Sequence, residues 1–121
     1  MTATYSMALG IEFWQEYGKN CVALEDLKII LTSRIKQRWC LDKLDKYSTY
    51  PKYNLLRSQV IKYIKEWDLY EIRIKNIRFL GDIFDNVFWI FTAAKKQRNK
   101  LPKSEFIRAN NFKNRFRESR L

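Results

Sequence analysis

The hydrophobic period changes partway along this chain, and that change constrains the fold more than any single motif. From Leu24 onward, Leu24, Leu27, Leu31, Ile35 and Trp39 recur at three- and four-residue spacing, with Lys28, Arg34, Lys36 and Arg38 between them. The spacing predicts an amphipathic helix to about Leu44. From residue 70 the period is two: Tyr70, Ile72 and Ile74 alternate with Glu71, Arg73 and Lys75, as in a strand with one buried and one polar face. Lys75-Asn76 then reads as a turn, Ile77 to about Phe84 as a second strand, Asp85-Asn86 as another turn, and Val87 to Thr92 as an apolar strand suited to the middle of a sheet. Pro102 opens a last helix, with Phe106, Ile107, Ala109, Phe112 and Phe116 available for packing. Helices first, then a meander, then a basic helix: the segregated order implies α+β.

The remaining segments are less sharply patterned. Residues 2–9 alternate weakly and suit a first strand, and a short helix is expected around Ile11 to Tyr17. DKYSTYPKYN at 45–54 reads as a loop around Pro51, and Leu55 to Glu66 fits either a short helix or an extended lead-in.

A chain of 121 residues suits one domain over 1–121 with one core, and 46% apolar with 16% aromatic residues is the composition of a folding chain. There is no histidine. That excludes a Ser-His-Asp triad, a Cys-His pair, a His-bearing zinc site and any base that titrates near neutrality unaided. Cys21 and Cys40 are too few for a disulfide scaffold and too far apart for a CxxC motif, so both are expected as small apolar residues of a reduced, cytoplasmic protein. The opening MTATYSMALG has no basic leader, and no apolar run approaches a membrane span.

The net charge is +11, and residues 94–121, with ten basic residues against two acids, supply +8 of it. Such a field favours a polyanion or an acidic partner. If Lys75 and Asn76 are the central residues of a tight hairpin, Arg73 faces Arg78 on one side of the sheet. Like charges so placed cost up to about 1 kcal/mol. Either water and Glu71 relieve the repulsion, or an anion belongs there. Lys95, Lys96, Arg98 and Lys100 follow the apolar strand; such a run is often a solvated loop, yet here it returns basic groups towards Arg73 and Arg78.

These residues together resemble a family. The segment 64–109, about two fifths of the chain, looks like the core of the RelE/HigB superfamily of toxins from bacterial type II toxin–antitoxin modules, especially its HigB-like, phage-derived branch. The likeness rests on an ordered set: Leu69-Tyr70-Glu71-Ile72-Arg73, then Arg78, the apolar run Val87 to Phe91, Lys95-Lys96, and finally Pro102, Glu105 and Ala109. The resemblance implies N-terminal helices packed on an antiparallel meander of about 3–5 strands with a basic C-terminal helix. It also implies a ribosome-dependent mRNA endoribonuclease that needs neither metal nor small-molecule cofactor. A ribose 2′-OH would attack the adjacent phosphate, and a cognate antitoxin would neutralise the protein. By the same likeness Arg73 and Arg78 would hold the scissile phosphate, with Lys95 and Lys96 beside them. Glu71 or a lysine would be the base, and Tyr70 a further proton carrier. Lys75, Arg98, Lys100 and Lys103 would bind flanking RNA.

The chain departs from the family at Ala94, where an aromatic often stands before the lysine pair, and in having no histidine and no tyrosine after Tyr70. Two other readings follow: a ParE-like toxin acting on DNA gyrase, and an RNA-binding or regulatory domain that has lost catalysis.

Overall fold

The computed structural model describes residues 7–98 and 100–121. Its elements run β1 (Gly10–Phe13), α1 (Val22–Ile30), α2 (Arg34–Tyr47), α3 (Lys52–Arg57), β2 (Ile61–Ile64), β3 (Leu69–Ile74), β4 (Ile77–Phe84), β5 (Val87–Lys95) and α4 (Lys103–Glu118). The fold is α+β, as the period change implies. The four strands β2 to β5 form an antiparallel meander, and β1 joins its far edge in parallel with β5, giving the order β1-β5-β4-β3-β2.

The two faces of this sheet are built differently. Leu27, Cys40, Leu44 and Leu55 from α1, α2 and α3 pack on Ile61, Ile72, Ile74, Ile77, Phe79, Phe88 and Ile90 in one apolar core. Burial pushes the Cys40 thiol up to about 11, so it sits there as a small apolar residue. The other face carries α4: Ala109 packs on Leu69, Leu80, Ala94 and Leu101, flanked by Trp67 and Phe106. Further along α4, the wholly buried Phe116 meets the rings of Trp14, Phe84, Trp89 and Phe91.

The hairpins follow turn chemistry. Asp85 and Asn86 both take positive φ, 55° and 60°, the requirement of a type I′ turn that short Asx side chains tolerate. Asn86 then ties β1 down, its carbonyl accepting from Gly10 N and its side chain donating to Ala8 O. Lys75 takes φ 52°, costly for a long side chain. Its turn is pinned from outside: Arg78 Nη1 donates to Lys75 O at 2.7 Å and Lys96 N to Asn76 O at 2.6 Å. Midway along the β4–β5 pair the register shifts at Leu80/Gly81, with Phe91 as the extra residue. Gly81 is required at that bulge, because a Cβ there would lie 2.0 Å from Trp89 O.

Four expectations are corrected. Ile11 to Tyr17 is not a helix. Ile11 and Phe13 lie in β1, where they supply the hydrogen-bonding partner that the edge of β5 lacks, and both pack against the helix-side core. The helix expected from Leu24 to Leu44 is two helices: Leu31 leaves α1 extended, and Ser33 caps α2 by accepting from Lys36 N. That side-chain bond offers the backbone an alternative to continuing the helix. As a result Ile35 is 82% exposed, and Cys40 and Leu44 fill the core instead. The segment 45–54 is only partly loop, since α2 runs to Tyr47 and α3 starts at Lys52; the lead-in after it is both helical and extended, α3 then β2. In α4 Ile107 faces outward. Of the expected first strand, residues 2–6 lie outside the described residues, and 7–9 add only an Ala8–Pro51 bridge. No helix among the described residues is long and apolar enough to cross a membrane.

Candidate anion site

Strand alternation places Glu71 and Arg73 on the α4 face of β3, and the two-residue hairpin sets Arg73 directly opposite Arg78, with Ile74 opposite Ile77. The cross-strand arginine pair is therefore present. Glu71 lies between them: its Oε1 is 3.7 Å from Arg73 Nε and 4.0 Å from Arg78 Nε. Glu71 and Arg78 are almost fully buried, at 7% and 5% exposure, while the Arg73 side chain is 30% exposed. One carboxylate thus offsets one of two cations, which relieves the repulsion without neutralising the site.

The Arg78 guanidinium is anchored through Nη1, which donates to Lys75 O at 2.7 Å and Ile77 O at 3.1 Å. Burial pulls its pKa below the ordinary guanidinium value; Glu71 pushes it back up and Arg73 adds to the lowering. An arginine so placed is still a cation at neutral pH. Among the described residues no hydrogen bond to the Glu71 carboxylate accompanies these ion pairs, and both arginines have donors to offer a further acceptor.

A cavity of about 130 Å³ opens over this cluster, lined by Lys62, Glu71, Arg73, Arg78, Lys96 and Lys100, with Ile64, Leu101 and Phe106 as its apolar wall. Five cations meet one carboxylate there. Lys62 stands opposite Glu71 in the β2–β3 register, Lys96 directly follows β5, and Lys100 pairs back to Gln97 across a turn in which Arg98 takes φ 60°. Partial desolvation strengthens the attraction of such a cluster for an anion, and guanidinium forks match the geometry of phosphate oxygens.

Of the residues singled out from sequence, Glu71, Arg73, Arg78, Lys96 and Lys100 come together. Lys95 and Lys75 do not: Lys95 is still in β5, so it alternates to the helix face, and Lys75 leans on that side with its Nζ 4.9 Å from the Trp39 ring. Tyr70 also projects to the helix face, against Tyr63 at 5.0 Å. Burial first, then the charges of Asp82 and Asp68, raise its pKa. Arg98 is exposed on the turn, and Lys103 is exposed in the first turn of α4.

Lys62 was missed. Its segment fits helix or strand equally well on pattern, so the face it shares with Glu71 is set only once β2 pairs with β3. The aromatic wall was missed for a related reason, since Phe106 reaches the cavity only through the packing of α4, where it stacks on Trp67 at 5.7 Å.

A second arginine–carboxylate cluster on α4 is built to a different plan. Arg108 holds Asp26 of α1 with two bonds, 3.1 Å from Nη1 and 2.8 Å from Nη2, and also reaches Glu105. Asp26 in turn accepts from Ala93 N at 3.0 Å, on β5 beyond the end of β1. Burial alone would lower the Arg108 pKa, but the hydrogen bonds and charge of Asp26, with Glu105, outweigh it and hold the pKa above the ordinary value. This cluster is saturated and ties α1, β5 and α4 together.

Comparison with protein-family models finds no match to this chain, and comparison with curated proteins finds none either.

Proposed function

We propose that this protein is a cytoplasmic toxin of the RelE/HigB type, a ribosome-dependent endoribonuclease that cleaves mRNA and is held in check by a cognate antitoxin. The observation that carries the reading is the loosely paired Arg73–Glu71–Arg78 cluster in a cavity with three lysines. The same residues motivate the family resemblance.

The chemistry follows from the donors present. Arg73 and Arg78 bind the two non-bridging oxygens of a phosphate and stabilise the charge that builds up on them in the pentacoordinate transition state. Glu71 is the carboxylate of the cavity and takes the proton of the ribose 2′-OH. The 2′-oxygen forms a bond to phosphorus as the bond to the 5′-oxygen breaks, giving a 2′,3′-cyclic phosphate and a 5′-hydroxyl. The departing 5′-oxygen takes its proton from the Lys96 or Lys100 ammonium. Lys62 holds the neighbouring backbone phosphate, and Phe106 offers an aromatic edge to a base. In this reading Tyr70, Lys75 and Lys95 take no part.

Induced expression followed by mapping of mRNA 5′ ends tests it. The wild-type chain is expected to arrest growth with new 5′-hydroxyl ends inside translated transcripts, and Arg73→Ala and Arg78→Ala to abolish both. Growth arrest with intact transcripts and gyrase-linked DNA breaks would sink the ribonuclease reading. A second reading, RNA binding without cleavage, is favoured by one feature: Glu71 stands between two guanidiniums, 3.7 and 4.0 Å away, a placement that already accounts for it as their shared counter-ion. Retention of an RNA oligonucleotide without cyclic-phosphate product would establish that reading.

A further inference from the structure

A second cavity lies on the opposite face of the sheet from the arginine pair. It encloses about 500 Å³ between α1, α2 and the β3–β4 turn, lined by Ile30, Leu31, Ile35, Trp39 and Ile77 with Lys36, Lys75 and Lys95 among them. No carboxylate lines it among the described residues. None of the three lysines has an ion-pair partner among the described residues. Two of its apolar residues are open to water, Ile35 at 82% and Trp39 at 37% exposure, while Ile77 is buried beneath them. Aliphatic groups held at a concave surface with a one-sign rim mark an interaction site more often than scattered exposed residues do.

We propose that this groove docks an acidic amphipathic helical segment of another protein, its apolar side chains on Ile35 and Trp39 over a floor formed by the buried Ile77, and its carboxylates on Lys36, Lys75 and Lys95. Charge complementarity decides the occupant. A second copy of this chain would bring +11 against +11 and the same lysine rim against itself, which costs rather than stabilises. Single-stranded RNA would use the lysines but leave the isoleucines idle. The Trp39 ring, the one stacking platform among the described lining residues, already lies under the ammoniums of Lys75 at 4.9 Å and Lys43 at 5.7 Å. A lipid surface is flat, whereas this site is recessed between two helices and a turn. An amphipathic helix presents a ridge of apolar side chains flanked by charge, which matches the groove in shape and sign. The inference does not rest on the ribonuclease reading, because the two sites share no residue.

Methyl- and amide-detected NMR of the full chain provides the test. The probe is a peptide of about four helical turns, with leucine at i, i+3, i+4 and i+7 and glutamate on both flanks. Controls are the same peptide with lysine for glutamate, an oligouridylate, and phosphatidylglycerol vesicles. The acidic peptide is expected to shift the Ile35 and Ile77 methyls and the Trp39 indole N–H. Its affinity should fall by at least about tenfold in Lys36→Glu/Lys95→Glu and in Ile35→Asp, but not in Arg73→Ala. All three changed side chains are solvent-exposed, so these variants should keep the wild-type amide spectrum elsewhere; Lys36→Glu alone, with a smaller drop, serves if the double variant does not. The proposal is overturned if the acidic peptide shifts nothing in the groove, if the lysine peptide binds as well, if affinity survives charge reversal, or if oligouridylate or vesicles shift the same signals more strongly. Loss of RNA cleavage in Arg73→Ala with peptide binding intact would separate this groove from the anion site.

Discussion

Arg108 with Asp26 and Arg78 with Glu71 are both arginine–carboxylate pairs under or beside α4, yet they differ in the way that separates structure from chemistry. The first is bidentate at 2.8 and 3.1 Å, and its carboxylate also accepts a backbone N–H from β5. The second is held at 4.0 Å, shares its carboxylate with Arg73, and carries no hydrogen bond across the pair. A pair retained for stability is expected to close its geometry, because desolvation of each ion costs several kcal/mol that only good hydrogen bonds repay. Keeping two nearly buried guanidinium and carboxylate groups at arm's length is poor economy for folding. It leaves donors free, which is what binding an anion requires.

Swapping the two arginines for an apolar isostere sets the classes apart. Arg78→Met is expected to lower RNA cleavage by about a thousandfold, the scale of losing one preorganised transition-state donor. Its stability should fall by no more than about 1 kcal/mol, the net worth of the Nη1 hydrogen bond to Lys75 O, because Glu71 keeps Arg73 and the new side chain is apolar in a nearly buried place. Arg108→Met should do the reverse, leaving cleavage alone and costing about 1–2 kcal/mol. That figure sits below the range for a fully buried pair because more than a third of the Arg108 side chain is open to solvent. Denaturant titration beside a single-turnover cleavage assay reads both. If Arg78→Met proves the more destabilising and the less damaging to cleavage, the roles of the two pairs are reversed and the Arg73–Glu71–Arg78 cluster is structural.

A finer cut uses two lysines adjacent in sequence. Lys96 lines the anion cavity and Lys95 the groove on the far face. For a single-stranded RNA the slope of log affinity against log salt should shrink by about 0.7 in Lys96→Ala and likewise in Lys62→Ala, one phosphate contact each. Lys95→Ala should leave the slope unchanged. Equal slopes for all three would mean that the chain binds RNA through diffuse charge and not at this site.

The same pair of lysines shows where reading the sequence succeeds and where it stops. The hairpin from Leu69 to Phe84 is legible because its alternation is regular and its turn has two residues, so the register Arg73 to Arg78 follows from counting. Lys95 and Lys96, read as a loop that returns together to the arginines, part company because β5 continues through Lys95, and one more strand residue sends a side chain to the other face. In the first half, Leu27, Leu31 and Ile35 keep helical phase across a break that only the Ser33 cap reveals, so one stripe stands for two helices. Ile11 and Phe13 are too short a run to show a period at all, and it is the open edge of β5 that recruits them. Lys62 needs both an element assignment and a strand pairing before it joins the site, which is why no local pattern contains it.

The smallest expected effect lies at the other end of α4 and tests whether its remaining buried cation belongs with the closed pairs. Lys113 is 3% exposed and donates to the Asp68 carbonyl and, at 2.9 Å, to the Asp68 carboxylate, which also accepts from Tyr63 Oη at 2.7 Å. The Tyr63 hydrogen bond first, then that from Lys113, holds the Asp68 carboxyl below its ordinary value of 3.8. A depressed carboxylate contributes stability that is present above its unfolded value and is lost as pH falls through the folded one. The expected window is therefore acid, beginning near 3.8 and extending below it. Because Asp68 is well exposed to solvent, the change is small. Asp68→Asn should flatten the dependence of melting temperature on pH in that window, while leaving the neutral-pH cleavage rate and the RNA salt slope as they are. A flattening that extended to neutral pH, or a change in cleavage, would tie Lys113 and Asp68 to the open cluster at Glu71 and erase the division between the two kinds of ion pair.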